Sequence, residues 1–137
     1  MRLTSFTDLG LRALMRLANE PGRVFTTEEI ATEFAISRNH LTKIVKDLGA
    51  AGFVATQRGA KGGFTLARDP REISVGSVVR RLESRHAVVE CFRADGGQCV
   101  LTPRCRLKRH LARAAEAFLG ELDKITLAEC AYPGRRI

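Results

Sequence analysis

Residues 36–69 read ISRNHLTKIVKDLGAAGFVATQRGAKGGFTLARD. Two periodicities meet in this stretch. In its first half Leu41, Ile44, Val45 and Leu48 recur at i, i+3, i+4 and i+7, one buried face of a helix. Ser37 stands where an N-cap belongs. The outward side carries Arg38, Asn39, Thr42, Lys43 and Lys46, with Ser37 and His40 at its N-terminal end. In the second half the pattern shortens to two strands around Arg58-Gly59-Ala60-Lys61-Gly62-Gly63, a β-hairpin with a basic, glycine-rich tip.

Working back toward the N-terminus, Thr26 with Glu29 opens a short helix carrying Ile30 and Phe34. Two helices joined by a turn of a few residues make a helix-turn-helix, and the hairpin that follows is the wing of a winged helix. Further back, Ser5 with Asp8 predicts a capping box, followed by an apolar stripe of Phe6, Leu9, Ala13, Leu14 and Leu17 that ends at Pro21-Gly22. Charge supports a DNA-reading role. Residues 36–68 hold six basic side chains (Arg38, Lys43, Lys46, Arg58, Lys61, Arg68) against one acid, Asp47. Residues 1–35 hold four basic against five acidic. The cations lie where a groove reader and a wing meet phosphates. The whole-chain net charge of +8 and pI near 10.0 agree with an anionic partner, double-stranded DNA first and a membrane surface second.

Toward the C-terminus, Pro70 marks a linker and Ser74 caps a helix through VGSVVRRLE. A cysteine loop over about 86–105 follows, and Thr102-Pro103 predicts the start of a long helix over about 103–123. In it Leu107, Leu111, Ala114, Phe118 and Leu122 form a narrow stripe of the kind that pairs with a partner helix. Thr126 and Glu129 predict one more short helix, and PGRRI a loose tail. The expected fold is mainly α with a small β-hairpin. A winged helix-turn-helix head occupies 1–70, and the cysteine loop and dimerisation helix occupy 71–137.

Cys91, Cys99 and Cys105 are separated by seven and five residues, with no CxxC pair. The N-terminal MRLTSFTDLGLRALMRLA is broken by charges and lacks the apolar core of a signal peptide, and no apolar run is long enough to span a bilayer. The expected compartment is the cytoplasm, where disulfides are rare. Structural zinc sites use closer pairs, and the wider intervals suit a loop around an iron–sulfur cluster. Spacing alone leaves cluster, zinc and plain thiols open. Nine basic residues between 80 and 113 (Arg80, Arg81, Arg85, Arg93, Arg104, Arg106, Lys108, Arg109, Arg113) against three acids (Glu83, Glu90, Asp95) favour a group with net negative charge. A helix start at Thr102 makes Cys105 its third residue, where the dipole stabilises negative sulfur. Three thiols leave a fourth position, for which Cys130, His86, Glu90, Asp95, His110 and Asp8 are candidates; a buried free thiol suits Cys130 and a capping role Asp8. No hydrolytic triad, Walker loop or HExxH occurs, so the chain does not read as an enzyme.

LTSFTDLGLRALMRLA, ISRNHLTKIVKDLGAAGFVATQRGAKGGFTLAR and CVLTPRCRLKRHLARAAEAFLGELDKITLAE together resemble the Rrf-type winged-helix iron–sulfur regulators, in their nitric-oxide-sensing branch. The resemblance implies a homodimer paired through the long helix. It implies an iron–sulfur cluster, 4Fe–4S with 2Fe–2S as the alternative, on Cys91, Cys99 and Cys105. Another branch of the family places a histidine ligand three residues after the last cysteine; here that residue is Lys108. The nitric-oxide branch implies instead an aspartate ligand from the partner subunit, at the position of Asp8. The implied function is a repressor released from its DNA operator by nitric oxide. The alternatives are a family member answering iron or redox state, or a zinc- or thiol-based winged helix.

Overall fold

A computed structural model of the chain describes residues 2–60 and 62–134. Helix α1 spans Ser5–Ala18, α2 Thr27–Phe34 and α3 Arg38–Ala50. Strands β1 (Val54–Gln57) and β2 (Gly63–Leu66) pair antiparallel, with Val54 opposite Leu66 and Gln57 opposite Gly63. Helix α4 covers Val75–Leu82 and α5 Arg106–Asp123, with single 3-10 turns at Pro70–Glu72, Glu90–Phe92, Thr102–Arg104 and Leu127–Cys130. The architecture is mainly helical with a two-stranded wing, as the sequence predicts.

The caps explain why these elements begin where they do. Thr26 and Glu29 form a reciprocal capping box at α2, Ser37 accepts from the His40 N–H at α3, and Ser74 accepts from the Ser77 N–H at α4. At α1 the cap is Thr4, whose hydroxyl accepts from the Thr7 N–H. The predicted box of Ser5 and Asp8 is therefore displaced by one residue, and Asp8 instead ion-pairs with Arg12 at 2.6 Å one turn on. Both sides of that pair are about half exposed.

The core gathers Leu14 and Leu17 of α1, Ile30 of α2, Leu41, Ile44 and Leu48 of α3, and Phe25, Phe53 and Phe64 around the wing's base. Phe25 exchanges two 2.8 Å backbone hydrogen bonds with Phe64, which docks the hairpin to the helical body. The core continues past residue 70 through Ile73, Val78, Leu82 and Leu127. The chain's return is fixed by backbone bonds from Leu127 to Ile73 and from Tyr132 to Met15, each 2.8 Å. The tail residues 135–137 lie outside the described residues.

Helix α5 begins three residues later than Thr102-Pro103 predicts. Those residues form a 3-10 turn, and Cys105, with extended φ −77 and ψ 109, becomes the N-cap of α5. The reason is local: Arg104 and Cys105 donate to the carbonyls of Leu101 and Thr102, so an i→i+3 turn closes before the α-helix starts. Cys105 is thus the cap residue itself rather than the third helical residue, and no side chain caps α5. The segment after Thr126 is likewise a 3-10 turn, although its Thr126–Glu129 capping box is complete.

Candidate nucleic-acid interface and cysteine loop

The turn between α2 and α3 is made by Ala35, Ile36 and Ser37. Ala35 takes a left-handed φ of 54, and the Ala35 and Ile36 N–H groups return to carbonyls of Thr32 and Ala31 at 3.2 and 2.9 Å. This closes α2 and sends α3 off with its polar side outward. Ser37, Arg38, Asn39, Thr42, Lys43, Lys46 and, on the wing, Arg58 are all exposed. Arg38, Lys43, Lys46 and Arg58 make no ion pair among the described residues, so their charge is free to meet an anion. Asp47 is neutralised by Arg81 of α4 at 3.1 Å. Two of the expected contact residues are partly occupied: the Ser37 hydroxyl caps α3, and half-buried His40 packs its ring 6.1 Å from that of Phe6. Lys61 lies outside the described residues.

The last turn of α4 touches two helices of the head, α1 and α3. Arg81 reaches α3 through Asp47, and Leu82 lies against Gly10 of α1 and so close that a Cβ on Gly10 would meet its Cδ1 at 2.7 Å. Glu83, the C-cap, accepts hydrogen bonds from the Thr4 backbone N–H at 2.7 Å and the Thr4 hydroxyl at 2.9 Å. Burial works to raise the Glu83 carboxyl, but bonds from Thr7 and Thr4 and the neighbouring His86 outweigh it and hold the group below its ordinary range. Sequence reading missed Arg81 and Glu83 as connectors. Glu83 and its partner are 79 positions apart, so no local pattern could have announced them.

Beyond α4 the cysteine loop is folded by its own acids. Gly96 and Gly97 both adopt positive φ, 77 and 63, and reverse the chain. Glu90 accepts from the Gln98 N–H at 2.8 Å and Asp95 from the Gly97 N–H at 2.9 Å, while Arg93 pairs with Asp95 at 2.6 Å. These bonds give Glu90 and Asp95 structural employment. Cys91, Cys99, Cys105 and Cys130 are all free and half-buried. Among the described residues no three His, Cys, Asp or Glu side chains stand close enough together to hold a metal ion. The donor chemistry of the loop nevertheless fits a sulfur-ligated cluster: three unpaired thiols occupy one glycine-turned segment. The Thr102 hydroxyl between the last two is buried without a hydrogen-bond partner, a donor available to a thiolate or sulfide.

Helix α5 contributes no buried residue to the chain. Its C-terminal half is held to α4 by Arg80, which pairs with Glu116 at 3.1 Å and Asp123 at 2.9 Å. Leu107 remains 60% exposed and Phe118 37%, so much of the apolar stripe has no cover within the chain. No helix among the described residues is long and apolar enough to cross a membrane.

A helix-turn-helix with an unpaired basic face, followed by a basic wing, defines a winged-helix DNA-binding transcriptional regulator. The chain belongs to the Rrf2 family: the sequence model of that family, described as an iron-dependent transcriptional regulator, matches residues 3–132. It is 48% identical over 130 residues to the HTH-type transcriptional regulator NsrR of Geobacillus kaustophilus, covering 94% of this chain and 88% of that one. Against NsrR of Bacillus subtilis the identity is 45%, covering 94% and 89%. Among solved structures, oxidized CymR of Staphylococcus aureus superposes with a TM-score of 0.75 at 27% identity, covering 99% of this chain and 100% of that one. IscR of T. potens gives 0.70 at 29% identity, covering 93% and 84%. Both NsrR relatives are described as HTH-type transcriptional regulators.

Proposed function

We propose that the protein is a homodimeric repressor that answers nitric oxide through an iron–sulfur cluster, 4Fe–4S in type, held by Cys91, Cys99 and Cys105 together with Asp8 of the partner subunit. The observation that carries this reading is three free, half-buried thiols in one loop of a chain 48% identical to an NsrR regulator. The orphaned Thr102 hydroxyl and the basic surroundings of the loop suit an anionic cluster. Among the described residues the half-exposed Asp8 side chain is engaged by a surface pair with Arg12 alone, an interaction worth roughly 0–1 kcal/mol, so a ligand role costs it little.

A cluster held by these residues would supply iron able to take up nitric oxide. The rest is done by the chain's own contacts. The cysteine loop leaves the end of α4, and α4 touches α1 through Leu82 and Glu83 and α3 through Arg81. Holding the loop therefore holds the recognition helices of the two heads at one separation. Arg38, Asn39, Thr42, Lys43 and Lys46 then meet bases and phosphates, with Ser37 and His40 at the near end of the helix and Arg58 and Lys61 on the wing. A loop no longer held would leave α4 free to shift, and the heads would lose their DNA-competent spacing. Moving an operator from mostly bound to mostly free takes about 3–5 kcal/mol of difference between the two arrangements.

Anaerobic purification tests the reading. A brown protein with iron and acid-labile sulfide is expected, whose affinity for a duplex selected from a random pool falls on nitric oxide addition. Asp8→Ala should alter the visible spectrum while Cys130→Ser leaves it unchanged. A colourless protein with stoichiometric zinc would sink the cluster; a brown protein indifferent to nitric oxide would sink the signal.

A further inference from the structure

Residues 100–102 invert the usual order of burial. Val100 is 89% exposed and Leu101 66%, whereas the Thr102 hydroxyl oxygen beside them is closed off from solvent and has no hydrogen-bond partner. A buried polar group without a partner is costly, and valine has nearly the same shape without that cost. Capping would be the ordinary reason for a threonine before Pro103. Here neither the 3-10 turn at Thr102–Arg104 nor α5 receives a side-chain cap. The hydroxyl therefore does nothing for the secondary structure around it.

The backbone around Thr102 points to the acceptor. The Thr102 N–H donates to the Cys99 carbonyl at 3.2 Å, and the Thr102 carbonyl accepts from the Cys105 N–H at 3.5 Å. Thr102 is thus tied directly to two thiol residues, both free and half-buried. The loop's carboxylates are already occupied, Glu90 by the Gln98 N–H and Asp95 by the Gly97 N–H and Arg93. A hydroxyl carries one donor, and a thiolate is an acceptor with no proton of its own. A hydrogen bond to an ionised acceptor is stronger than one between neutral groups. Such bonds to sulfur are among the factors that set the potential of an iron–sulfur cluster.

We propose that Thr102 is a positioning residue for the sulfur ligands. Its hydroxyl donates to a cysteine thiolate of the cluster site, which draws charge from the sulfur, raises the reduction potential of the bound cluster and slows its loss. This role rests on the cluster reading given above and adds a residue outside the four ligands of that reading. It asks for the hydroxyl and not for the methyl group.

The test compares the full-length wild type with Thr102→Val, Thr102→Ser and Thr102→Ala, each reconstituted anaerobically. Thr102→Val should hold a brown cluster whose midpoint potential lies below that of the wild type, and should lose iron to a chelator roughly tenfold faster. Thr102→Ser keeps the hydroxyl and should return both properties toward the wild type. Stripped of iron, Thr102→Val should melt no lower than the wild type, because the change removes an unsatisfied buried hydroxyl. A merely structural threonine would move the melting point and leave the potential in place. Wild-type potential or wild-type iron retention in Thr102→Val would overturn the proposal and leave the cluster standing. So would an iron-free Thr102→Val that melts lower, or a Thr102→Ser that behaves like Thr102→Val. Should Thr102→Val not fold, wild-type potential in Thr102→Ala overturns it equally. A folded wild-type protein that stays colourless removes the cluster reading itself, and this role with it.

Discussion

At the scale of single residues, what matters is whether a charge already has a partner. Lys43 is exposed and free of ion pairs among the described residues, so its whole charge is available to phosphate. Lys43→Ala should weaken binding to selected and scrambled duplexes alike and flatten the log–log salt slope by about 0.9; an unchanged slope in titrations from low to moderate salt would show that Lys43 touches no phosphate. Glu83 is the opposite case, a charge consumed inside the fold by Thr4 and Thr7. Because its folded carboxyl is held below the ordinary 4.5, the ionised form stabilises the native state above that pH, and the contribution disappears as pH falls through the lowered value. Glu83→Gln should therefore cost about 1–2 kcal/mol at neutral pH, with the difference in melting temperature closing in acid below about 4.5. A pH-independent difference would mean that shape rather than charge holds Thr4. Arg16 shows the limit of reading charge from sequence. It looks like any helix cation, yet it is 8% exposed, paired with Glu20 and Glu33, and stacked 4.9 Å from the Phe25 ring.

At the scale of elements, legibility followed the range of the interactions that build each one. The starts of helices α2, α3 and α4 were legible because their caps, Thr26–Glu29, Ser37 and Ser74, lie beside the apolar periodicity they serve. The wing was legible because glycine clusters and strand alternation are equally local. The start of α5 was not, since a proline can open a 3-10 turn as readily as an α-helix, and the extended backbone of Cys105 decides between them. The convergence of α4 on α1 and α3 was not legible either, being made by contacts tens of residues apart. The α2–α3 turn is the element that sets the recognition helix's direction, and it does so with an alanine at φ 54. A left-handed alanine costs roughly 1–2 kcal/mol, part of which glycine returns as extra unfolded-state entropy. Ala35→Gly should raise the unfolding free energy by up to about 1 kcal/mol, read as a higher midpoint in denaturant titration, without altering DNA affinity. A lower midpoint would show that the methyl group, not the backbone, is what the turn needs.

At the scale of the whole molecule, the unequal covering of apolar surface argues for a second chain. Helices α1 to α4 each bury residues, whereas α5 buries none and leaves Leu107 exposed and Phe118 lining a cleft of about 370 Å³ with Leu3, Val79 and Val88. Leu107, Leu111, Ala114 and Phe118 share one face, and a helix pairing through them would place two heads side by side. Because none of these positions is buried in the chain itself, Leu107→Glu with Leu111→Glu should leave the thermal unfolding of the head nearly unchanged. Sedimentation should then show half the wild-type mass. Each head would bind its half-site alone, and losing the intramolecular second contact should lower duplex affinity by about 10²-fold or more. On the ligand set proposed above, the same variant would also weaken cluster binding, because Asp8 of the partner subunit would depart with the partner. A variant that keeps the dimer mass would place the interface off this face of α5, and one that unfolds would mean that the stripe packs within its own chain.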